Sequence, residues 1–115
     1  MAHPVIHFEI LGQDANGLQG FYRSAFDWTI DANNPMNYGM VSPEDKGIGG
    51  GVGASMDGAS MVTVYVEVDD LQSALDRITE LGGQTVMPPM DVPGGPSIAQ
   101  FTDPAGNRVG LVKGM

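Results

Sequence analysis

The amino-acid sequence predicts an α+β fold made of two βαβββ modules, each with its helix outside its sheet. The segments that begin VIHFEI and VTVYVEV share one order of patterns: a strand-like run, then Asp, then a helical run, then further strand-like runs. Asp14 and Asp70 hold the same place in the two copies, 56 residues apart in a chain of 115 residues. A repeat of about half the chain predicts two similar modules within one domain. We place module 1 at about residues 1–57 and module 2 at about residues 61–115.

The first strand of each module is indicated by an apolar residue at every second position. Ile6, Phe8 and Ile10 alternate with polar residues, and four valines between positions 62 and 68 do the same in the second copy. A period of two is typical of a strand with one apolar face. We expect the apolar face to contact a helix and the other face to line a cleft. The cleft candidates are His7, Glu9, Thr63 and Tyr65, with Glu67 as a further one.

Helices are predicted after Asp14 and after Asp70, which are well-placed N-cap residues. In the second copy, apolar residues spaced by three and four run from Leu71 to Leu81, and Gly82 and Gly83 follow as a stop signal. The first copy has a less regular apolar stripe, formed by Leu18, Phe21, Tyr22 and Ala25.

The remaining strands and loops follow from turn residues. Strands are predicted around residues 28–31, 38–41, 48–54, 84–87, 97–102 and 108–112. The sequence DPAGN, residues 103–107, predicts a hairpin turn between the last two strands. SMDGAS is interpreted as the linker between the modules, and MPPMDVPGGP as a rigid loop that proline keeps out of regular structure.

Composition excludes several classes of function. Fourteen acidic against five basic residues give a formal net charge of −9, which disfavours nucleic acid and anionic membrane as partners. The absence of cysteine excludes disulfides, thiolate metal sites and a cysteine nucleophile. No run of eighteen apolar residues and no basic, apolar leader pattern occurs, so we expect a cytoplasmic protein.

The Gly-rich stretch GIGGGVG does not match a phosphate-binding loop. It lacks the Lys and the Ser or Thr of that motif, and no helical pattern follows it. We interpret it as a strand that a ligand or a partner chain approaches closely.

Four segments together resemble the vicinal oxygen chelate superfamily, which includes glyoxalases, bleomycin resistance proteins and extradiol dioxygenases. They are HFEI, FYRSAFDW, VEVDDLQSALDRITELGG and FTDPAGNRVGLV. Their order and spacing cover nearly the whole chain. The resemblance implies an eight-stranded open barrel or cleft with the helices outside, a small-molecule ligand and a homodimer.

The resemblance also implies where a metal would bind. Metal-binding members are similar in four ligand positions, one on the first and one on the last strand of each module, usually His or Glu. His7 matches the first position, but Thr63 and Gly110 hold two others, and GIGGGVGAS contains no Asp, Glu or His. A catalytic zinc or iron normally has three protein ligands. We therefore expect no metal and no cofactor, with His7 as the one family ligand if a metal binds.

Two functions remain open at this stage. The first is a small-molecule-binding protein whose cleft takes an apolar or aromatic ligand. The second is an enzyme of the lyase, isomerase or oxygenase type that uses His7 and Glu9, with or without an unconventional divalent metal. For His7 a plain hydrogen-bonded role in the pocket wall is a further alternative, and Tyr38 is either a stacking surface for a flat ligand or part of the core. The candidate ligand contacts are His7, Glu9, Tyr38, Thr63, Tyr65 and Gln100.

Overall fold

The computed structural model describes residues 2–114, and their elements follow the order βαβββ twice. The elements are β1 Val5–Gly12, α1 Ala15–Phe26, β2 Ile30–Asp31, β3 Gly39–Val41, β4 Gly49–Ala54, β5 Met61–Val68, α2 Leu71–Glu80, β6 Gln84–Asp91, β7 Ser97–Thr102 and β8 Arg108–Lys113. The predicted α+β class and the two-module order are confirmed. Neither α1 nor α2 combines the length and the apolar character that a helix crossing a bilayer requires.

The eight strands of the described residues form a mixed sheet in the order β2-β3-β4-β1-β5-β8-β7-β6. β1 pairs in parallel with β4, and β5 pairs in parallel with β8. The pairs β3–β4 and β7–β8 are antiparallel. The chain divides into two compact units: His7–Thr63 forms one, and Val64 onward together with the N-terminal residues up to Ile6 forms the other.

In the unit His7–Thr63, helix α1 covers one face of the local strands. Its buried core consists of Ile30, Val41 and Val52. Phe8 and Ile10 of β1 pack against this core, as do Leu18, Tyr22 and Trp28. Because side chains alternate across a strand, His7 and Glu9 lie on the face of β1 away from this core. The predicted parity of β1 is confirmed.

Helix α1 begins at its predicted N-cap but differs from the predicted apolar stripe. The Asp14 carboxylate accepts a hydrogen bond from the Gly17 backbone N–H at 3.0 Å. Phe21 is 61% exposed, whereas Gln19 is only 2% exposed. The Gln19 amide satisfies its burial by donating two hydrogen bonds of 2.9 Å, to the carbonyls of Asn37 and Val52. The polar side chain of Gln19 is therefore buried, whereas Phe21, which the apolar pattern placed in the core, is exposed.

In the other unit, α2 packs on β7 and β8. The Asp70 carboxylate caps the helix by accepting a hydrogen bond from the Ser73 N–H at 2.9 Å. The core consists of Val68, Leu71, Leu75, Ala99 and Leu111. Helix α2 thus confirms the predicted cap and the apolar spacing from Leu71 to Ile78. Leu81, the last residue of the predicted stripe, follows the helix and is 62% exposed.

The apolar face predicted for β5 is correct only at its C-terminal end. Val66 and Val68 contact the core below α2. Val62 is 73% exposed, while Thr63 and Tyr65, which we expected on a wetter face, are 5% and 4% exposed. Side-chain burial does alternate along β5. The core begins only at Val66, however, so Val62 and Val64 are exposed.

The loop predicted for MPPMDVPGGP is wrong in its first half, because β6 continues to Asp91. The strand contains both Pro88 and Pro89, and its pairing with β7 shifts register on either side of Met87. β6 stands at the end of the strand order. Proline is tolerated there because one edge of an end strand has no neighbouring strand, so a backbone N–H on that edge is not needed for a hydrogen bond.

The predicted DPAGN hairpin is confirmed between β7 and β8. The Asp103 N–H donates to the Asn107 carbonyl at 2.9 Å. The Asp103 carboxylate accepts from the N–H groups of Ala105 and Asn107. Gly106 has a φ of 93°, which favours glycine at that position.

Candidate functional site

Three of the predicted site residues meet on the face of β1 away from α1. His7 Nε2 and the Tyr38 hydroxyl oxygen are 2.9 Å apart. The same hydroxyl donates a hydrogen bond of 2.8 Å to Glu9 Oε2. The His7 and Tyr38 rings are nearly parallel, at 18°, with centroids 6.3 Å apart. We call His7, Tyr38 and Glu9 the polar triad.

The backbone around Tyr38 is held by side-chain amides that the sequence interpretation did not single out. The Asn34 amide nitrogen donates to the Tyr38 carbonyl at 2.7 Å, and the Asn34 amide oxygen accepts from the Tyr38 N–H at 2.9 Å. Asn37, at a φ of 53°, donates from its amide to the Asn16 side chain at 2.8 Å. Its carbonyl accepts the Gln19 bond described above. The asparagine-rich composition of this loop was the available signal, since Asn readily adopts positive φ and bonds its own backbone.

The glycines of β4 make room for the triad. A Cβ atom at Gly51 would overlap the hydroxyl end of Tyr38, and one at Gly53 would lie 3.1 Å from Tyr38 Cδ1. On the opposite face, a Cβ at Gly50 would overlap the ring of Phe8. The expectation that a ligand or a partner chain fills this Gly-rich space is therefore wrong for these positions, because the chain's own aromatic rings occupy it.

Burial sets the charge state of His7. Desolvation lowers the pKa of the imidazole below its usual value, and the carboxylate of Glu9 opposes that shift with a smaller effect. A histidine with a lowered pKa is neutral at pH 7, so one of its ring nitrogens carries a lone pair. A neutral imidazole has the protonation state that a general base requires.

Two further predicted residues meet in the other unit. The Gln100 amide donates a hydrogen bond of 3.1 Å to the Tyr65 hydroxyl. The Tyr65 ring lies where a Cβ at Gly110 would be, and Tyr65 pairs with Gly110 across the β5–β8 ladder. Thr63 is buried on β5. The structure thus joins the predicted residues in two groups, His7 with Glu9 and Tyr38, and Tyr65 with Gln100.

The residues of the chain do not fit the four-ligand metal site that the resemblance implies. The last strand of the first module, within GIGGGVGAS, has no Asp, Glu or His, and Gly110 stands on the last strand of the second. The rings of Tyr38 and Tyr65 fill the space into which a side chain would project at Gly51 and Gly110. Thr63 offers a neutral hydroxyl where a His or Glu is usual. Among residues 2–114, no three His, Asp or Glu side chains are grouped closely enough to hold an ion.

A separate groove of about 520 Å³ lies in the unit His7–Thr63. It is formed by the end of β1, the start of α1 and residues 60–62, including Leu18, Phe21 and Tyr22. None of the predicted ligand contacts lines it. This groove and the polar triad are therefore two different places in this unit.

Comparison with known proteins places these features in a family. The model of the glyoxalase/bleomycin resistance protein/dioxygenase superfamily matches residues 5–111. CFP32 of Mycobacterium tuberculosis, whose name provisionally describes it as a glyoxylase, is 29% identical over 107 residues, which is 85% of this chain and 41% of that protein. The anthracycline biosynthesis protein DnrV of Streptomyces peucetius is 28% identical over 117 residues, 86% of this chain and 42% of that protein. The chain thus spans about two fifths of the length of these curated relatives.

Solved structures share the fold at lower identity. Methylmalonyl-CoA epimerase from Mycobacterium tuberculosis has a TM-score of 0.67 and 14% identity, covering 96% of this chain and 87% of the epimerase. A superfamily member from Vibrio splendidus has a TM-score of 0.63 and 16% identity, with 99% and 100% coverage. Identities this low establish the fold and leave the activity open. Because the family model covers nearly the whole chain and the observed elements have the family's order, the chain belongs to the glyoxalase/bleomycin resistance protein/dioxygenase superfamily.

Proposed function

We propose that the chain binds a small apolar or aromatic molecule next to the polar triad, without a metal or another cofactor. The hydrogen-bonded arrangement of His7, Tyr38 and Glu9 carries this proposal. Ligand sites combine apolar surface with a few polar groups whose positions are fixed. The triad has this character, since the Asn34 and Gly51 contacts hold Tyr38 on its two sides.

The electrostatics of the triad favour an uncharged ligand. His7 is neutral at pH 7 because burial lowers its pKa. The chain as a whole carries a formal charge of −9, which disfavours anions. Small neutral aromatic molecules with a polar substituent therefore suit the site better than phosphates or carboxylates.

Titration with phenol, observed in ¹H–¹⁵N spectra of the labelled protein, tests the proposal. We expect saturable shifts of backbone signals in β1 and β4 and at Tyr38, and weaker binding for His7→Ala. His3→Ala is the matched control, because His3 is exposed and outside the triad. Shifts confined to other regions, or equal affinity in His7→Ala, would contradict a ligand site at the triad.

Metal analysis tests the second part of the proposal. The untagged protein, purified without added ions or chelators, should retain far less than one equivalent of zinc, iron, nickel or manganese. Stoichiometric retention of any of these ions would show that the chain has a metal site despite the glycines at its last-strand positions.

An enzyme that moves a proton is the second candidate function. The observation that favours it is a neutral imidazole bonded to a phenol that is itself bonded to a carboxylate, because a general base needs a lone pair at working pH. His7 would accept the proton, and Glu9 would support His7 through the hydrogen bonds that both make with Tyr38.

Solvent deuterium exchange into a thioester with an acidic C–H distinguishes an enzyme from a binding protein. If the chain is an enzyme, exchange should occur and His7→Ala should lower it strongly. If the chain is a binding protein, neither the unsubstituted chain nor His7→Ala should give exchange above background.

We further propose that the chain acts as a cytoplasmic homodimer. The family resemblance supports the dimer, and the acidic composition is common among cytoplasmic proteins. Fractionation of the native host with an antibody against the chain tests the location, and recovery with the membrane or the medium would contradict it.

A further inference from the structure

We propose that the groove at the start of α1 is a second ligand site, and that it binds small organic cations with an aromatic or aliphatic body and a protonated amine. This groove lies between the end of β1, the start of α1 and residues 60–62. Its apolar walls bury the body of the ligand, and the Asp14 carboxylate binds the amine. The proposal does not rest on the function proposed for the polar triad, because no triad residue lines the groove.

The groove has the size and the lining of a small-molecule site. Its volume of about 520 Å³ lies within the range of about 300–1,000 Å³ that is usual for ligand pockets. Apolar side chains form most of its walls, and three polar ones, Gln13, Asp14 and Ser60, lie among them. A mainly apolar lining with a few polar groups is typical of such pockets.

Two apolar side chains of the groove are largely exposed to water. Phe21 of α1 is 61% exposed, and Val62 of β5 is 73% exposed. The Phe21 ring packs at 87° against Tyr22, with centroids 5.0 Å apart, and Tyr22 stacks on Trp28 at 12° and 5.3 Å. Because Trp28 packs against the core of the unit, the exposed ring rests on ordered neighbours. A ligand body that covers Phe21 and Val62 removes their apolar surface from water at a small cost in side-chain ordering.

Asp14 sets the charge of the groove. Among the described residues that line it, Asp14 is the only one with a charged side chain. One oxygen of its carboxylate accepts the Gly17 N–H at 3.0 Å, and a carboxylate can accept more than one hydrogen bond. The N-terminus of α1 contributes a partial positive charge of about 0.5, which the full negative charge of Asp14 exceeds. The groove is therefore negative, in a chain whose formal charge of −9 attracts cations.

This combination selects a cation over a neutral molecule or an anion of the same shape. A protonated amine next to Asp14 gains an ion pair in addition to the burial of its body. An exposed aromatic ring such as that of Phe21 also attracts a cation to its face. A neutral alcohol gains the burial only. A carboxylate meets the negative charge of Asp14, and the described lining residues include no Lys, Arg or His that would offset it.

Three probes of similar size test the assignment: 2-phenylethylamine, which is a cation at pH 7, the neutral 2-phenylethanol, and the anion phenylacetate. Binding is followed in ¹H–¹⁵N spectra through the backbone signals of Gln13, Gly17 and Val62, which line the groove. At low salt we expect the amine to bind about two to five times more tightly than the alcohol, the range for an exposed ion pair. Phenylacetate should bind more weakly than the alcohol. Raising the salt concentration from about 0.01 M to about 0.3 M should reduce the preference for the amine.

Two substitutions separate the effect of charge from that of burial. Asp14→Asn removes the charge but keeps an N-cap acceptor, because Asn caps helices about as well as Asp does; the amine should then bind no more tightly than the alcohol. Asp70→Asn is the matched control, since Asp70 caps α2 in the same way and lies outside the groove. Phe21→Ala should weaken the binding of all three probes. Phe26→Ala, which removes a ring of 60% exposure outside the groove, should not.

The outcomes that contradict the proposal are distinct. Equal affinity of the unsubstituted protein for the amine and the alcohol at low salt, or an Asp14→Asn protein that still prefers the amine, would overturn the assignment to cations. The absence of saturable shifts at the groove signals with the amine, or an affinity unchanged by Phe21→Ala, would overturn the site itself. The phenol titration of the proposed function is judged by signals around the polar triad, so either proposal can fail without the other.

Discussion

At the scale of single residues, the site depends on a glycine as much as on its polar side chains. The Tyr38 hydroxyl fills the space that a side chain at Gly51 would take. Because protein interiors are close-packed, even one added methyl group must displace something there. Moving the hydroxyl would break its bonds to His7 and Glu9.

Gly51→Ala should therefore lower both stability and phenol binding. We expect a loss of about 1–3 kcal/mol in the free energy of unfolding, the usual cost of overpacking. Urea denaturation gives the first quantity, and spectral titration gives the second.

Gly20→Ala is the matched control for this substitution. Gly20 lies within α1, and a Cβ there would meet nothing within 4 Å. It should raise stability by about 0.5–1 kcal/mol and leave phenol binding unchanged. A Gly51→Ala protein with full stability and affinity would show that Tyr38 can move without consequence.

The pKa of His7 predicts how stability changes with pH. Because burial lowers this pKa in the folded state, the unfolded chain binds the proton more readily between the folded pKa and about 6.5. The contribution of His7 is then complete above about pH 6.5 and is lost as pH falls toward the folded pKa. His7→Gln should reduce the drop in stability between about pH 7.5 and about pH 5.5, measured by urea denaturation, with His3→Gln as the control. An unchanged or larger drop in His7→Gln would contradict the lowered pKa.

The positions of some of these residues could be predicted from the sequence, and those of others could not. Strand parity was enough to predict that His7 and Glu9 share a face. Tyr38 was identified only as an aromatic candidate, because no pattern in the sequence specifies that a loop 31 residues away returns to His7. The contacts of Asn34 and Gly51 depend on that return and were not predictable before it was known.

At the scale of elements, one buried amide connects α1 to two other parts of its unit. Gln19 donates to two carbonyls, one in the loop before β3 and one in β4. A helix of twelve residues with two internal glycines has modest intrinsic stability. These tertiary bonds therefore matter more for α1 than its propensity does.

Gln19→Leu should destabilise the protein by about 1–3 kcal/mol, because it removes the donor from two buried carbonyls while keeping a similar volume. Gln72→Leu is the control, since Gln72 is exposed and bonds only the neighbouring side chain of Asp76 among the contacts described. That change should stay within about 0.5 kcal/mol. Urea denaturation of both variants provides the measurement, and equal stabilities would contradict the role of Gln19.

The elements show where periodicity suffices and where it does not. The caps and apolar spacing of α2 predicted its position well, because a strong local signal agreed with the core. The pattern in α1 was correct for Leu18 and Tyr22, which pack against the core, and wrong for Phe21, which is exposed. The burial of Gln19 was not predicted, since a buried Gln satisfied by remote carbonyls has no local signature. β6 was predicted to end too early, because proline was taken to exclude regular strand structure. Proline is excluded from central strands, but it is tolerated in a strand at the end of a sheet, which is where β6 lies.

At the scale of the whole molecule, the net charge of −9 weakens the association of two copies of the chain. Like charges on two copies repel each other. At 0.1 M salt this repulsion is largely screened for charges more than about 10 Å apart. The proposed homodimer should therefore become tighter when salt is raised from about 0.01 M to about 0.1 M. Sedimentation equilibrium at the two salt concentrations measures this change, and a chain that stays monomeric at both would contradict the dimer.

The two ends of the strand order limit how the chain can associate. β2 has only two residues, and β6 carries adjacent prolines and register shifts. An incoming polypeptide that extends a sheet needs a long, regular row of free N–H and carbonyl groups. Neither terminal strand offers one, so the fold resists uncontrolled growth into fibres, and lengthening β2 or replacing Pro88 and Pro89 would remove that protection.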